Sequence, residues 1–159
     1  MNNQHVFDWL RDAHSMEEQA EKLFSGQAER LSDYKELSAR LKEEVNSIEE
    51  NKALLSKGLK QRGGNTSLAK DSFAKIMGFE QNMAGKMVSD EPVKGVLALY
   101  SFTQMAVGSY RILVAAADAT SDTDLKSVCQ TLLSSSERRA AWIEKELEPV
   151  TRTFLNAEN

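Results

Sequence analysis

The sequence predicts an all-α protein: a four-helix bundle of two antiparallel helical hairpins joined by a long, partly helical crossover. Three observations predict it. Apolar residues recur at steps of three and four through four long stretches. No stretch carries the period-two alternation of a strand. The stretch from Val96 to Ala119 is apolar nearly all round, which belongs at the centre of a bundle rather than on its surface.

The first helix is expected over about residues 5–31, with Val6, Leu10, Ala13, Met16, Ala20, Phe24 and Ala28 on one stripe. Glu17 lies beside that stripe and Glu18 farther round. Ser32 and Asp33, with Glu36 three residues on, predict a capping box for the second helix. That helix, about 33–61, carries Tyr34, Leu37, Leu41, Val45, Ile48, Leu55 and Leu59. Arg62-Gly63-Gly64-Asn65 stops it, because glycine adopts a positive φ at low cost. Residues 62–90 read as the crossover, one broken helix or two short ones interrupted at Gly78. Ser89-Asp90-Glu91-Pro92 restarts a helix, which runs over 91–119. Its inner face is Val96, Leu99, Thr103, Ala106, Tyr110, Leu113 and Ala117. Its polar residues Thr103 and Gln104 are expected where a bundle places its chemistry. The last helix, about 122–155, carries Leu125, Val128, Leu132, Ile143 and Leu147, with a kink or break expected at Pro149. Hairpin, crossover, hairpin is the ferritin-like order.

A chain of 159 residues suits one domain with a sizeable core. Hydrophobic residues at 41% and charged residues at 28% exclude a disordered chain. The net charge of −4 comes from interleaved acids and bases, without a basic block, which argues against a nucleic-acid partner. No run of about 18 apolar residues predicts a membrane span. The opening MNNQHVFDWLRD lacks the regions of a signal peptide, and the single Cys129 forms no internal disulfide. Both fit a cytoplasmic protein.

FDWLRDAHSMEEQAEKLF, DEPVKG, SYRILVAAAD and AAWIEKELEPVTRTFL resemble the bacterial ferritin-like stress-protein family typified by YciE and YciF. The resemblance covers roughly residues 5–155. It implies a four-helix bundle, usually dimeric, and for many members a di-metal carboxylate site. Residue by residue, that site carries over badly. Glu17 matches the ligand expected on the first helix. On the second, Glu44 stands for a histidine, Asn46 for a carboxylate, and Glu49 is a remnant. On the third, Thr103, Gln104 and Ala106 replace two glutamates and a histidine. On the fourth, Ser134, Ser135 and Ser136 replace an acidic cluster and leave Glu137.

A bundle di-metal site needs about four carboxylates and two imidazoles. Here no Glu-x-x-His occurs, and the two histidines, His5 and His14, share one helix. The reading is therefore a non-enzymatic bundle with no catalytic residue and no cofactor, acting by assembly or binding. Exposed apolar residues around the start of the first helix, Phe7 and Trp9, and in the crossover predict a homodimer. The alternative is a residual metalloprotein holding iron or manganese through Glu17, Glu44, Glu49 and Glu137. A third reading, a small molecule in the core, uses the space beside Ala106, Gly108 and Ser135. Single residues have bland readings alongside. Glu17 is either a ligand or a buried acid bonded to Thr103, Gln104 or Ser135, with a raised pKa. His14 reads as a helix surface pair or dimer contact, Cys129 as an apolar filler, and the methionines Met77, Met83, Met87 and Met105 as packing. Tyr100, Tyr110, Trp9 and Trp142 read as core and interface aromatics.

Overall fold

The computed structural model describes residues 3–65 and 91–159. Residues 66–90 of the expected crossover, with Met77, Met83 and Met87, lie outside them. Four helices make up the described chain: α1 (Gln4–Arg30), α2 (Lys35–Gln61), α3 (Glu91–Ala119) and α4 (Thr123–Glu158). Among the described residues there is no strand.

The helices form a ring. α1 packs on α2 and α3, and α4 packs on α3 and α2. α1 and α4 are therefore diagonal, as are α2 and α3. Neighbours run antiparallel: Arg30 at the end of α1 meets Glu91 at the start of α3, and Arg62 after α2 meets Asp122 before α4. Gln61 and Glu91 thus lie at opposite ends of the bundle, as a hairpin–crossover–hairpin chain requires.

Helical periodicity turns one stripe of each helix inward. Leu10 and Phe24, Leu41 and Ile48, Leu99 and Leu113, and Leu132 and Ile143 are all buried. Each such side chain contributes roughly 1.5–3 kcal/mol over its exposed state. α3 is the least amphipathic helix, and its outer face keeps Leu97 and Ile112 exposed.

Two expectations about helix ends need correction. Tyr34, not Asp33, caps α2, and it does so without a side-chain bond. Ser38 takes over the local work, with its N–H on Tyr34 O at 2.8 Å and its hydroxyl on Ala28 O at 2.6 Å. Nor does Pro149 interrupt α4. It sits on the exposed face, where water can satisfy the carbonyl it strands, while buried Val150 holds the next turn to the core.

The stop after α2 is as the sequence predicts. Gly63 has φ 76°, and Gly64 N–H bonds Leu59 O at 2.9 Å, the geometry of a Schellman turn. α3 ends the same way, with Asp122 N–H on Ala117 O at 2.9 Å and Ser121 at φ 56° in place of a glycine.

Candidate functional site

Glu17 is 1% exposed on the inner face of α1, and side chains from the other three helices meet it. Tyr110 of α3 donates its hydroxyl proton to Glu17 Oε1. Asn51 of α2 donates from Nδ2 to the same oxygen at 3.4 Å and to Ser135 Oγ at 3.5 Å. Arg139 of α4, 4% exposed, places Nη1 3.8 Å from Glu17 Oε2 and Nε 3.0 Å from Glu44 Oε2. Its Nη2 donates to Ser47 Oγ at 3.4 Å, and Ser47 Oγ lies 3.4 Å from Ser135 Oγ. The guanidinium also lies 5.6 Å from the centroid of the Phe24 ring, a cation–π distance.

The charges alternate outward from this centre. Glu44 Oε1 accepts from Arg40 at 3.4 Å, and Arg40 stacks 5.0 Å over Trp142 at the surface. Arg40, Glu44, Arg139 and Glu17 thus form a ladder of opposite charges from solvent to core. Burial pushes the Glu17 carboxyl above its ordinary range, against the opposing pull of Arg139, Tyr110 and Asn51. Burial and the neighbouring Glu17 push the Tyr110 hydroxyl well above its ordinary value. Among the described residues, Glu17 Oε2 and Ser136 Oγ have no hydrogen-bond partner.

Glu17 is buried and hydrogen-bonded, and of the three partners expected for it none bonds it directly. Thr103 Oγ1 bonds the Tyr100 carbonyl at 2.8 Å. Gln104 is exposed, a correction: one residue past Thr103 turns about 100° off the stripe that holds Thr103, Ala106 and Tyr110. Asn46 is also exposed, because Ile48 and Asn51 take the inner face of α2. Ala106, Ser135 and Ser136 are buried. Of the four remnant carboxylates, Glu17 and Glu44 meet at Arg139. Glu49 is exposed, and Glu137 pairs on the surface with Arg111 at 2.8 Å.

His14 is buried to 9% exposure, with Nδ1 3.2 Å from Glu18 on its own helix. Burial lowers its pKa. The Cys129 thiol is buried and pushed up to about 11, which disfavours the reactive thiolate. Met105 packs half-buried against the core.

Sequence reasoning missed Arg139, Asn51 and Ser47, and treated Tyr110 as apolar packing. A signal was present. Arg139 stands four residues before Ile143 on the apolar stripe of α4, and Asn51 stands between Ile48 and Leu55 on that of α2. Polar side chains in register with a core stripe must find partners inside.

Among the described residues, no three His, Cys, Asp or Glu side chains come together in a way that could hold a metal. The donor set does not fit a centre of four carboxylates and two imidazoles. Instead, a guanidinium stands between the two carboxylates that converge.

Fold and site together define an all-α bundle with an ion-paired polar centre. Residues 2–156 match the family described as Domain of unknown function (DUF892), and the chain belongs to that family. It is similar to a crystal structure of a protein from Xanthomonas campestris pv. campestris, at 28% identity and TM-score 0.83, over 98% of this chain and 97% of that one. It is also similar to YcfI from Rhodopseudomonas palustris, described as a candidate structural protein. There the identity is 16% and the TM-score 0.78, over 91% of this chain and 93% of that one.

Proposed function

We propose that this chain is a non-enzymatic, ferritin-like bundle of the stress-protein type typified by YciE and YciF, acting in the cytoplasm as a structural or binding protein. In this reading its polar centre is stabilised by an internal ion pair instead of iron or manganese. The observation that carries it is the environment of Glu17. Its partners are Tyr110, Asn51 and Arg139, which are one neutral hydroxyl, one amide and one cation, and none of them is an anionic or imidazole metal ligand. The protein is a homodimer in the same reading. Trp9, 41% exposed at the start of α1 and stacked 6.0 Å from His5, is an apolar surface that a symmetric contact would cover.

Metal content by mass spectrometry tests the first part, on untagged protein expressed with added iron and manganese. A stoichiometry near zero is the expected result. Roughly one or two tightly held ions per chain, as in a bundle metal centre, would overturn it in favour of a residual metalloprotein. Sedimentation equilibrium of the full chain and of Trp9→Glu tests the dimer. The wild type should give twice the chain mass and the variant a larger monomer fraction.

A further inference from the structure

We propose that Arg139 is an internal cation standing where a bundle of this architecture would hold a metal, and that the space its guanidinium fills is a binding site for planar cations of the guanidinium class. The inference rests on the metal-free reading above and goes further, because it assigns the centre a specificity of its own.

A guanidinium is flat and presents its N–H donors in a fixed fork. Each edge of that fork meets a partner on another helix: Nε faces Glu44 of α2 at 3.0 Å, Nη2 faces Ser47 of α2 at 3.4 Å, and Nη1 faces Glu17 of α1 at 3.8 Å. Phe24 adds an aromatic ring 5.6 Å from the guanidinium carbon. A spherical divalent ion could draw on the two carboxylates, but the Phe24 ring offers it no ligand atom. It would also lack the further anionic or imidazole ligands such an ion normally takes. A planar organic cation uses every one of these contacts.

Electrostatics points the same way. Arg139 is buried to 4% exposure, yet it carries a charge that no residue type sheds less readily. A buried cation persists only when it is paired and hydrogen-bonded. Here the pairing comes from helices α1 and α2, so the cation ties α4 to both. Truncating Arg139 removes that tie. It leaves Glu17 and Glu44 facing a space beside Phe24, Ser47, Asn51 and Ser135, with no cation of the described residues between them.

The test is chemical rescue of Arg139→Ala by methylguanidinium at millimolar concentration, read as the thermal midpoint of helix loss. Urea at the same concentration and manganese are the comparison additives. The variant should melt below the wild type. Methylguanidinium at about ten times its Kd should raise the midpoint by about 4 °C. The wild type and Glu17→Gln/Arg139→Ala should not respond.

A flat response of Arg139→Ala to methylguanidinium would overturn the proposal while leaving the metal content of the wild type, and with it the metal-free reading, untouched. Stabilisation by manganese and not by methylguanidinium would also overturn it. If Arg139→Ala does not fold, Arg139→Gln supplies the second measurement, since its neutral amide still fills part of the space. It should melt below the wild type and ignore methylguanidinium, and a midpoint equal to the wild type would sink the idea.

Discussion

Arg139 Nη1 lies 3.8 Å from Glu17 Oε2, although the two residues sit on helices α4 and α1, which are diagonal and make no direct backbone approach. A pair that crosses the bundle must pass through its centre, so it occupies the volume that apolar side chains would otherwise fill. Such a pair adds little net stability compared with a packed apolar core, because both charges are desolvated. What it adds is registry: only one axial placement of α4 puts Arg139 level with Glu17 and Glu44 together.

Tyr110→Phe tests how tightly the centre depends on satisfied bonds. The substitution keeps the ring and removes the donor to Glu17 Oε1, leaving Asn51 at 3.4 Å as that oxygen's partner. An acceptor deprived of its main donor in a buried site costs about 1–3 kcal/mol. Urea unfolding followed by circular dichroism should show that loss with an unchanged m value.

At one end of the bundle, Arg62 holds Asp122 through two bonds, Nε to Oδ2 at 2.6 Å and Nη2 to Oδ1 at 2.7 Å. Arg62 Nη1 also caps Gly58 O at 3.0 Å, and Asp122 caps Leu125 N–H at 2.9 Å. One bridge therefore closes α2 and opens α4. Arg62→Ala should cost about 1–3 kcal/mol by the scale of charge-assisted bonds, and Arg62→Lys should not restore the fork. The Arg62 guanidinium holds the Asp122 carboxyl below its ordinary 3.8. A depressed folded-state pKa gives stability that is present above 3.8 and lost as pH falls through the lower folded value. The gap between wild type and Asp122→Asn should shrink on acidification over that window.

The bundle was legible in the sequence because burial in a helix leaves a period, and Leu41, Ile48 and Leu55 or Leu125, Leu132 and Ile143 keep that period. The centre was only half legible. Glu17 stood out as an acid beside the apolar stripe, and it is buried. Its partners did not stand out, because Arg139 lies 122 positions away, on a helix that does not pack against α1. Local spacing carries no signal for such a contact. Gln104 misled for the opposite reason: on a helix apolar nearly all round, period alone does not separate the inner face from the outer one.

The two Schellman turns differ at one position, and the difference predicts opposite mutational effects. Gly63 at φ 76° and Ser121 at φ 56° occupy the same left-handed region. Glycine enters that region without the Cβ clash that serine meets, a difference of roughly 1 kcal/mol. Ser121→Gly should raise stability by about that amount and Gly63→Ala should lower it. Chemical denaturation of both variants checks the signs.

Gly95 is small because Gln27 lies against it. A Cβ at that position would clash with Gln27 Oε1, and Gln27 is 2% exposed. Gly95→Ala should destabilise the protein despite the roughly 1 kcal/mol that alanine gains over glycine within a helix. In a Gln27→Ala background the clash is gone, and the same substitution should stabilise. A double-mutant cycle with the same sign in both backgrounds would refute this account. Gly108, whose added Cβ would meet nothing within 4 Å, is the internal control, and Gly108→Ala should stabilise in either background.

Burial raises the Glu17 pKa above its ordinary 4.5 in spite of Arg139, Tyr110 and Asn51. The folded chain therefore holds the Glu17 proton more tightly than the unfolded chain does. The sign follows from linkage: between the unfolded and the raised folded pKa the native state binds more protons, so stability falls as pH rises through that window. Below about 4.5 this contribution is fully present, and above the folded value it is gone. Glu17→Gln keeps the shape and removes the titration. The stability of the wild type relative to Glu17→Gln should thus be greatest in mild acid and decline toward neutral pH. Asp122 contributes in the opposite sense below 3.8, so the comparison belongs above that value. Denaturation midpoints of both proteins from pH 4.5 upward decide it, and a difference that grows with pH would mean that Arg139 outweighs desolvation at Glu17.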